Sequence, residues 1–180
     1  MTVWFTADTH FGHGNIITYC KRPYADVAEM DEGLIANWNE RIGETDEVWH
    51  LGDFSWTDPR PYLSRLNGIK HLVRGNHEPM ARVEAGWASV QHYKELKVDG
   101  VDLVLFHYGM RLWNQCRHGA VHLYGHSHAR LPGDAQCCDV GVDYWDYRPV
   151  NLVEIKMLLA TQPVRDEDAI EGAQREPSTN

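Results

Sequence analysis

Five short segments of the chain carry carboxylate, amide or imidazole side chains directly after apolar runs that are typical of buried strands. In chain order, these side chains are Asp8 with His10, Asp53, Asn76 with His77, His107, and His126 with His128. Residues two apart at the end of a strand project to the same side, so the first and the last pair each form a potential two-point ligand. Each segment alone is weak, because a single Asp-x-His is more often a helix cap or a surface turn. The five together predict one shared site at a sheet edge, where functional residues collect.

The predicted ligand types indicate which ions the site would hold. Mixed carboxylate, amide and imidazole ligation suits Mn²⁺, Fe, Ni²⁺, Co²⁺ or Zn²⁺ rather than Ca²⁺. The four cysteines form no C-x-x-C pair, which argues against a structural zinc site and favours free thiols. Read without the other segments, Asp53 in "GDFSW" could equally cap a helix over residues 58–67.

The order of the motifs resembles the calcineurin-like metallophosphoesterase superfamily. The matching blocks, all in order between residues 6 and 128, are D-x-H at Asp8, GD at Gly52, GNHE at Gly75, H at His107 and GHSH at Gly125. The longer segments "ADTHFGHGNII", "HLGDFSW" and "VGVDYWDYRP" are similar to a group of small bacterial and phage-type phosphoesterases that have no large cap domain.

The resemblance implies two divalent ions and a hydrolytic reaction. It implies that the first ion is held by Asp8, His10, Asp53 and His128, and the second by Asp53, Asn76, His107 and His126. Asp53 would bridge the ions, and His77 would be a proton donor or phosphate contact rather than a ligand. The ions bring four positive charges and Asp8 and Asp53 return two negative ones, which favours a phosphate oxyanion. The implied reaction is hydrolysis of a phosphodiester or phosphomonoester by a metal-bridging hydroxide.

Several residues outside the ligand set are candidates for substrate contact. His13 and Asn15 lie in the first loop, at positions that resemble family positions near the site. Arg74 directly precedes GNHE, where a structural salt bridge is an equal alternative. Trp56 either lines a pocket or packs the base of its loop. Further candidates, each with a structural alternative, are Tyr108, Arg111, Arg117, Tyr144, Trp145 and Tyr147.

The elements that position these residues alternate between strand and helix in the first half of the chain. Predicted elements are a strand over 3–8, a loop over 9–26, a helix over 27–42, strands over 46–53 and 69–78, and helices over 58–67 and 79–86. The second half predicts antiparallel strands that start with a hairpin at Asp99-Gly100, and a final helix capped by Asn151. Five histidines without a partner pattern are expected at the surface or core edge, namely His50, His71, His92, His118 and His122.

This pattern predicts an α/β (α+β) fold with two sheets packed face to face and helices outside. The resemblance specifies it as a four-layer αββα sandwich of two mixed sheets. A chain of 180 residues is long enough for one domain with its own core, expected over 1–160. Residues 161–180 are polar and are expected to form a flexible tail.

Composition limits the function classes. The chain is 43% hydrophobic and 24% charged, with no apolar run long enough to span a membrane and no secretory signal, so a cytoplasmic protein is expected. The net charge of −9 argues against binding of extended nucleic acid and leaves a small phosphorylated substrate as the expected partner. Two alternatives stay open: a nuclease acting on short nucleic acid, and an inactive scaffold of the same fold that binds proteins.

Overall fold

The computed structural model describes residues 1–78 and 86–164, which form two mixed β-sheets with helices. The strands, in chain order, are β1 (Val3–Thr6), β2 (Glu47–His50), β3 (Ile69–Val73), β4 (Ser89–Gln91), β5 (Tyr93–Val98), β6 (Val101–Phe106), β7 (Val121–Tyr124), β8 (Cys137–Asp139) and β9 (Val150–Asn151). The first sheet has the order β4-β3-β2-β1-β9, in which only β9 is antiparallel to its neighbour. The second has the order β5-β6-β7-β8. The predicted mixed α/β class is therefore confirmed.

The second sheet differs from the predicted antiparallel arrangement. The hairpin at Asp99-Gly100 forms as expected, and it joins β5 and β6. However, β6, β7 and β8 are parallel, because the segments 107–120 and 125–136 carry the chain back across the sheet before each new strand begins. The strand that was predicted before the hairpin turn, over residues 89–98, is divided into two strands. Of these, β4 belongs to the first sheet and β5 to the second.

Four α-helices lie within the described residues 1–78 and 86–164, and they correct two sequence predictions. They are α1 (Gly14–Cys20), α2 (Val27–Arg41), α3 (Arg60–Leu63) and α4 (Leu152–Leu159). Helix α1 occupies part of the predicted loop over 9–26, and α3 is shorter than the predicted helix over 58–67. Residues 79–85 of the predicted helix over 79–86 lie outside the described residues. The cap of α4 is confirmed, because Asn151 and Glu154 form a reciprocal capping box. Residues 165–180 of the expected tail also lie outside the described residues.

Two apolar clusters hold the first sheet in place. On one face, Phe5 and Trp49 pack against Leu105 and Leu123 of the second sheet, and α4 closes this core. On the other face, α2 contributes Met30, Leu34 and Trp38. The outer face of the second sheet is covered by the segment 110–120, which includes a 3₁₀-helical turn over Cys116–His118. Burying apolar side chains on both faces of the first sheet fixes its strand ends, which carry the predicted ligands.

Two of the five unassigned histidines are core residues, which corrects the prediction that they lie at the surface or core edge. His50 and His122 are both fully buried. The Nδ1 atom of His50 accepts from Gly52 N at 3.3 Å and its Nε2 lies 3.0 Å from Thr9 Oγ1. His122 Nδ1 lies 3.0 Å from Val104 O. These partners satisfy the buried imidazoles, which allows burial without charge.

The four cysteines are free, as predicted. Adjacent Cys137 and Cys138 point to opposite faces of β8, into the outer and the inter-sheet cluster respectively. Within the described ranges, no helix combines the length and apolar character that a membrane crossing requires.

Candidate metal centre

The predicted ligands follow strands that run in the same direction within each sheet. Asp8, Asp53 and Asn76 follow the parallel strands β1, β2 and β3, and His107 and His126 follow the parallel strands β6 and β7. The carboxyl ends of neighbouring parallel strands lie at one edge of a sheet, where ligands bind in open α/β sheets. The topology therefore brings all five segments to one region.

Five of the predicted metal ligands have left-handed backbone conformations. Positive φ angles occur at Asp8 (59°), His10 (51°), Asp53 (58°), His126 (63°) and His128 (48°). Such angles are uncommon for residues other than glycine, and strained positions of this kind concentrate at functional sites. The turns are held by backbone hydrogen bonds such as Asp8 N to Gly52 O and His10 N to Asp53 O, both 3.0 Å.

Gly52 allows three segments to meet beneath the site. Its φ angle is 98°, and a Cβ atom built on it would lie 2.5 Å from both Gly75 N and His107 Nδ1. A side chain at this position would therefore push the third-strand loop and His107 apart. This lack of space for a side chain explains why a glycine precedes Asp53.

The first cluster consists of Asp8, His10 and His128, whose potential ligand atoms lie within 4.8 Å of one another. Asp8 Oδ1 and His10 Nε2 are buried, and neither makes a hydrogen bond to the described part of the chain. Burial, followed by the charge of His128, lowers the pKa of His10 to about 2, so its imidazole is neutral at pH 7. Burial also raises the pKa of Asp8 well above its usual range. A bound cation would stabilise the carboxylate and use both unpaired atoms.

The second cluster consists of Asp53, His107 and His126, and its ligand atoms also lie within 4.8 Å of one another. His107 Nδ1 lies 2.7 Å from the carbonyl oxygen of Leu51, so this nitrogen must carry the proton. Burial lowers the pKa of His107, which leaves Nε2 as a bare lone pair. His107 Nε2 lies 3.1 Å from Asn76 Oδ1, which is also a hydrogen-bond acceptor. Acceptors that converge without a proton fit a cation between them.

Asp53 lies between the two clusters. Its Oδ1 accepts a hydrogen bond of 2.9 Å from His77 N, which fixes the carboxylate. Its Oδ2 lies 3.6 Å from His10 Nε2 of the first cluster and 3.6 Å from His107 Nε2 of the second. One oxygen thus faces a ligand nitrogen from each cluster. Asp53 is not a helix cap, since the residue before α3 is Pro59.

A buried ion pair, not predicted from the sequence, supports His128. The carboxylate of Asp143 lies 2.6 Å from His128 Nδ1 and receives two hydrogen bonds of 2.8 Å from Arg22. Arg22 also donates to the backbone oxygens of Asp8 at 2.7 Å and Thr9 at 2.9 Å. Arg22 and Asp143 therefore fix both the ring of His128 and the turn that carries Asp8. Carboxylates that hold a ligating histidine in this way orient its other nitrogen towards the metal.

The charges around His128 favour a positive charge in the first cluster. Burial alone would lower the pKa of His128, but hydrogen bonds to Asp143 and Cys20 and the charge of Asp8 raise it to about 10. The pKa of Asp143 lies below its usual value despite its burial, because His128 and Arg22 donate to it. A metal ion would replace the extra proton on His128, since ligating imidazoles must be neutral.

Glu78, the last residue of the GNHE block, fixes the loop of Asp53. Its Oε1 accepts hydrogen bonds from the backbone N–H groups of Asp53 and, at 3.3 Å, Phe54. Burial, followed by the negative charge of Asp53, raises the pKa of Glu78 to about 7. Glu78 belongs to the GNHE block that carries the family resemblance, but its support of the Asp53 loop was not predicted from the sequence.

His77 and three of the candidates for substrate contact line a cavity of about 450 Å³ beside the first cluster. His13, Asn15 and Trp56 are these three, and the ring of His77 lies 5.6 Å from that of Trp56. Trp56 combines both alternatives given for it, because its ring stacks on that of His13 at 4.4 Å while the residue remains 52% exposed at the cavity. Arg74 is not part of the described lining. Its backbone N–H instead donates to Gln91 O at 2.8 Å.

The remaining substrate candidates are divided between the site and the scaffold. The ring of Tyr108 lies 4.7 Å from that of His126, so Tyr108 covers the second cluster. Trp145 packs on the core between the sheets, and Tyr147 packs against the helical side of the first sheet. Arg117 lies in the 3₁₀-helical turn over the second sheet. The structure does not place Tyr144 or Arg111 in the cavity beside the first cluster.

Four residues of the cavity lining were not predicted from the sequence, namely Ile16, Tyr19, Cys20 and Arg130. Tyr19 lies on α1, which was predicted as a loop, although Ile16 and Cys20 have the four-residue spacing of a helix face. Arg130 follows the GHSH block by two residues, but no local pattern distinguishes it from a surface arginine.

The sequence and the fold are similar to those of known proteins. Residues 1–142 match the family model of the calcineurin-like phosphoesterase superfamily domain. An uncharacterised protein of Methanocaldococcus jannaschii is 30% identical over 169 residues, which cover 87% of this chain and 90% of that protein. The Gene 66 protein of Mycobacterium phage D29 is 28% identical over 179 residues, which cover 79% of this chain and 88% of that protein. A protein of unknown function from Aquifex aeolicus has a similar fold, with a TM-score of 0.69, 24% identity, and coverage of 87% of this chain and 98% of that one.

Proposed function

The chain belongs to the calcineurin-like phosphoesterase superfamily, and we propose that it is a dinuclear metal-dependent hydrolase of phosphodiesters or phosphomonoesters. In this proposal Asp8, His10 and His128 hold one divalent ion, and Asn76, His107 and His126 hold the other. Asp53 is shared between them. The physiological partner would be a small phosphorylated substrate.

The position of Asp53 is the observation that carries this proposal. Its Oδ2 lies 3.6 Å from a ligand nitrogen of each cluster, while His77 N holds Oδ1. One carboxylate oxygen aimed at two sets of acceptors supports two cations that share a ligand. Borderline ions such as Mn²⁺, Fe, Co²⁺, Ni²⁺ or Zn²⁺ fit these donors.

Two bound ions would supply a nucleophile from water near neutral pH and neutralise the phosphate oxygens. The chain supplies the rest of the chemistry. Asp8 and Asp53 would neutralise only two of the four positive charges, so the site would keep a net positive charge that attracts a phosphate ester. Asp143 and Leu51 O accept the outer N–H groups of His128 and His107, so that each Nε2 faces inward.

His77 is placed to handle the leaving group. Its backbone N–H is used by Asp53, whereas its ring lines the cavity and lies 5.8 Å from the ring of His10. A proton delivered from this ring to the departing alkoxide would contribute about 10²–10⁴-fold. His77 is therefore proposed as a general acid or phosphate contact, and not as a metal ligand.

Metal analysis combined with a hydrolysis assay tests the proposal. The wild-type protein should bind two Mn²⁺ or Zn²⁺ ions per chain and hydrolyse bis-p-nitrophenyl phosphate or p-nitrophenyl phosphate. Asp53→Asn should weaken both sites and lower kcat by at least about 10²-fold, a typical effect of losing one preorganised electrostatic group. Asp99→Asn, a matched change in the exposed hairpin turn, should leave both properties unchanged. A wild-type protein that neither binds metal nor hydrolyses either ester would contradict the proposal and favour a protein-binding scaffold.

A further inference from the structure

The cavity beside the first cluster has an unusual lining for this protein. Aromatic rings are contributed by Tyr19, Trp56 and the imidazoles of His13 and His77, and Arg130 contributes a guanidinium. No aspartate or glutamate belongs to its described lining, although the chain has a net charge of −9. The cavity therefore combines flat apolar surface with positive charge, which suits an anionic ligand that carries a ring.

The aromatic wall is held in place by stacking. The rings of Trp56 and His13 lie 4.4 Å apart at an angle of 12°, and the ring of Tyr19 meets His13 edge-on at 6.5 Å. Nevertheless, Trp56 remains 52% exposed and Tyr19 63% exposed. A large indole that is fixed on one side and open on the other is a preformed stacking surface.

Arg130 completes the rim of the cavity. Its Nη2 donates to the backbone oxygen of Tyr19 at 3.0 Å, which holds the guanidinium beside the aromatic wall. A guanidinium has five N–H donors, so this bond leaves donors for an anionic or polar group of a ligand. Arginine also stacks on flat rings.

The cavity opens on the predicted reaction site, because His10, His77 and His128 belong to its lining. An ester whose phosphate lies at the first cluster would place its organic group against Trp56. The cavity volume of about 450 Å³ falls within the range of small-molecule sites.

We propose that this cavity is a specificity site for the planar aromatic group of a phosphate ester, with Trp56 as the stacking surface and Arg130 as the polar contact. The chemistry points to a nucleotide-like substrate, in which a base is joined to phosphate through a short polar linker. This inference rests on the proposed phosphoesterase function, because it assumes that phosphate occupies the metal clusters.

Binding of non-hydrolysable phosphonates tests the site without turnover. Calorimetry in the presence of Mn²⁺ would compare ethylphosphonate, 2-phenylethylphosphonate and the 5′-methylenephosphonate analogue of thymidine monophosphate. Base stacking on one aromatic side chain changes affinity by about 5- to 150-fold. Wild-type protein should therefore prefer the ring-bearing ligands over ethylphosphonate by a factor in this range. Equal binding of the phenyl and thymidine ligands would identify a general aryl site, and tighter thymidine binding would identify a base site.

Variants of the wall separate stacking from general damage. Trp56→Ala should abolish the preference for a ring while leaving the affinity for ethylphosphonate unchanged, and Trp56→Phe should keep most of the preference. Tyr93→Ala, a change at an exposed aromatic residue on β5, should behave as wild type. The inference is overturned if wild type shows no preference, if the preference survives in Trp56→Ala, or if Trp56→Ala weakens all three ligands equally.

The result is distinguishable from failure of the proposed function. A ring preference that depends on Trp56, together with no hydrolysis of any ester, would overturn the reaction but keep the aromatic site. Hydrolysis without a ring preference would do the reverse.

Discussion

Asp143→Asn should weaken one metal site selectively and destabilise the metal-free protein. The carboxylate of Asp143 joins Arg22 to His128, and the side chains of Arg22 and Asp143 are only 0% and 6% exposed. The substitution keeps the shape of the side chain but removes its charge. Arg22 would keep its hydrogen bonds to Asp8 O and Thr9 O, yet its buried charge would lose its counterion.

The expected magnitudes follow from burial. Removing one member of a buried ion pair typically costs about 3–5 kcal/mol of the free energy of unfolding. Removing the carboxylate behind a ligating histidine typically lowers metal affinity by about 10–100-fold. The loss of affinity should affect the cluster of His128, whereas the cluster of His107 should be spared because Leu51 O supports that ring.

Two assays separate these effects. Urea unfolding of metal-free protein, followed by tryptophan fluorescence, measures stability, and calorimetric titration with Mn²⁺ measures the two sites. Asp102→Asn is a matched control, because it breaks an exposed pair with Lys97 whose side chains are 59% and 54% exposed. Exposed pairs of this kind are worth at most about 1 kcal/mol, and the control should bind two ions normally.

The double variant Arg22→Met/Asp143→Asn distinguishes the two roles of the pair. It should regain part of the lost stability, because no unpaired charge stays buried, while the affinity of the first site should remain low. The reasoning is refuted if Asp143→Asn binds both ions as wild type does and unfolds within about 1 kcal/mol of it.

Three further substitutions test other parts of the site. His77→Ala should keep both metals but slow turnover, most strongly for esters with poor leaving groups, and loss of both metals would show that His77 is a ligand. Gly52→Ala should lower the unfolding temperature and the metal affinity of the His107 cluster, because the new Cβ would lie 2.5 Å from His107 Nδ1; wild-type values would contradict this. Burial and the charge of His107 lower the pKa of His50 to about 3, so stability present above pH 6.5 should fall by up to about 1.4 kcal/mol per unit as the pH drops towards 3. His50→Gln should flatten that slope in urea unfolding and His92→Gln, at an exposed site, should not; equal slopes would refute the assignment.

The convergence of the candidate ligands could be anticipated from the sequence because it depends on local features. Asp8, Asp53 and Asn76 each follow a short apolar strand, and neighbouring parallel strands bring their ends together whatever the details of packing. The capping of α4 by Asn151 is equally local. Such features are set by a few adjacent residues.

The support of the site could not be anticipated in this way. Arg22 and Asp143 are separated by 121 residues, and neither lies in a pattern that identifies its partner. The burial of His50 depends on Thr9, which is 41 residues away along the chain. The parallel arrangement of β6, β7 and β8 also depends on long connections rather than on the strands themselves. These contacts are created by the fold and leave no local signal.

Anomalous diffraction from crystals soaked with Mn²⁺ tests the central claim most directly. The account predicts two peaks about 3.5–4 Å apart, the usual spacing of paired catalytic ions, with Asp53 Oδ2 between them. The first peak should contact Asp8, His10 and His128, and the second should contact His107 and His126. A single peak, or two peaks that do not both contact Asp53, would contradict the claim.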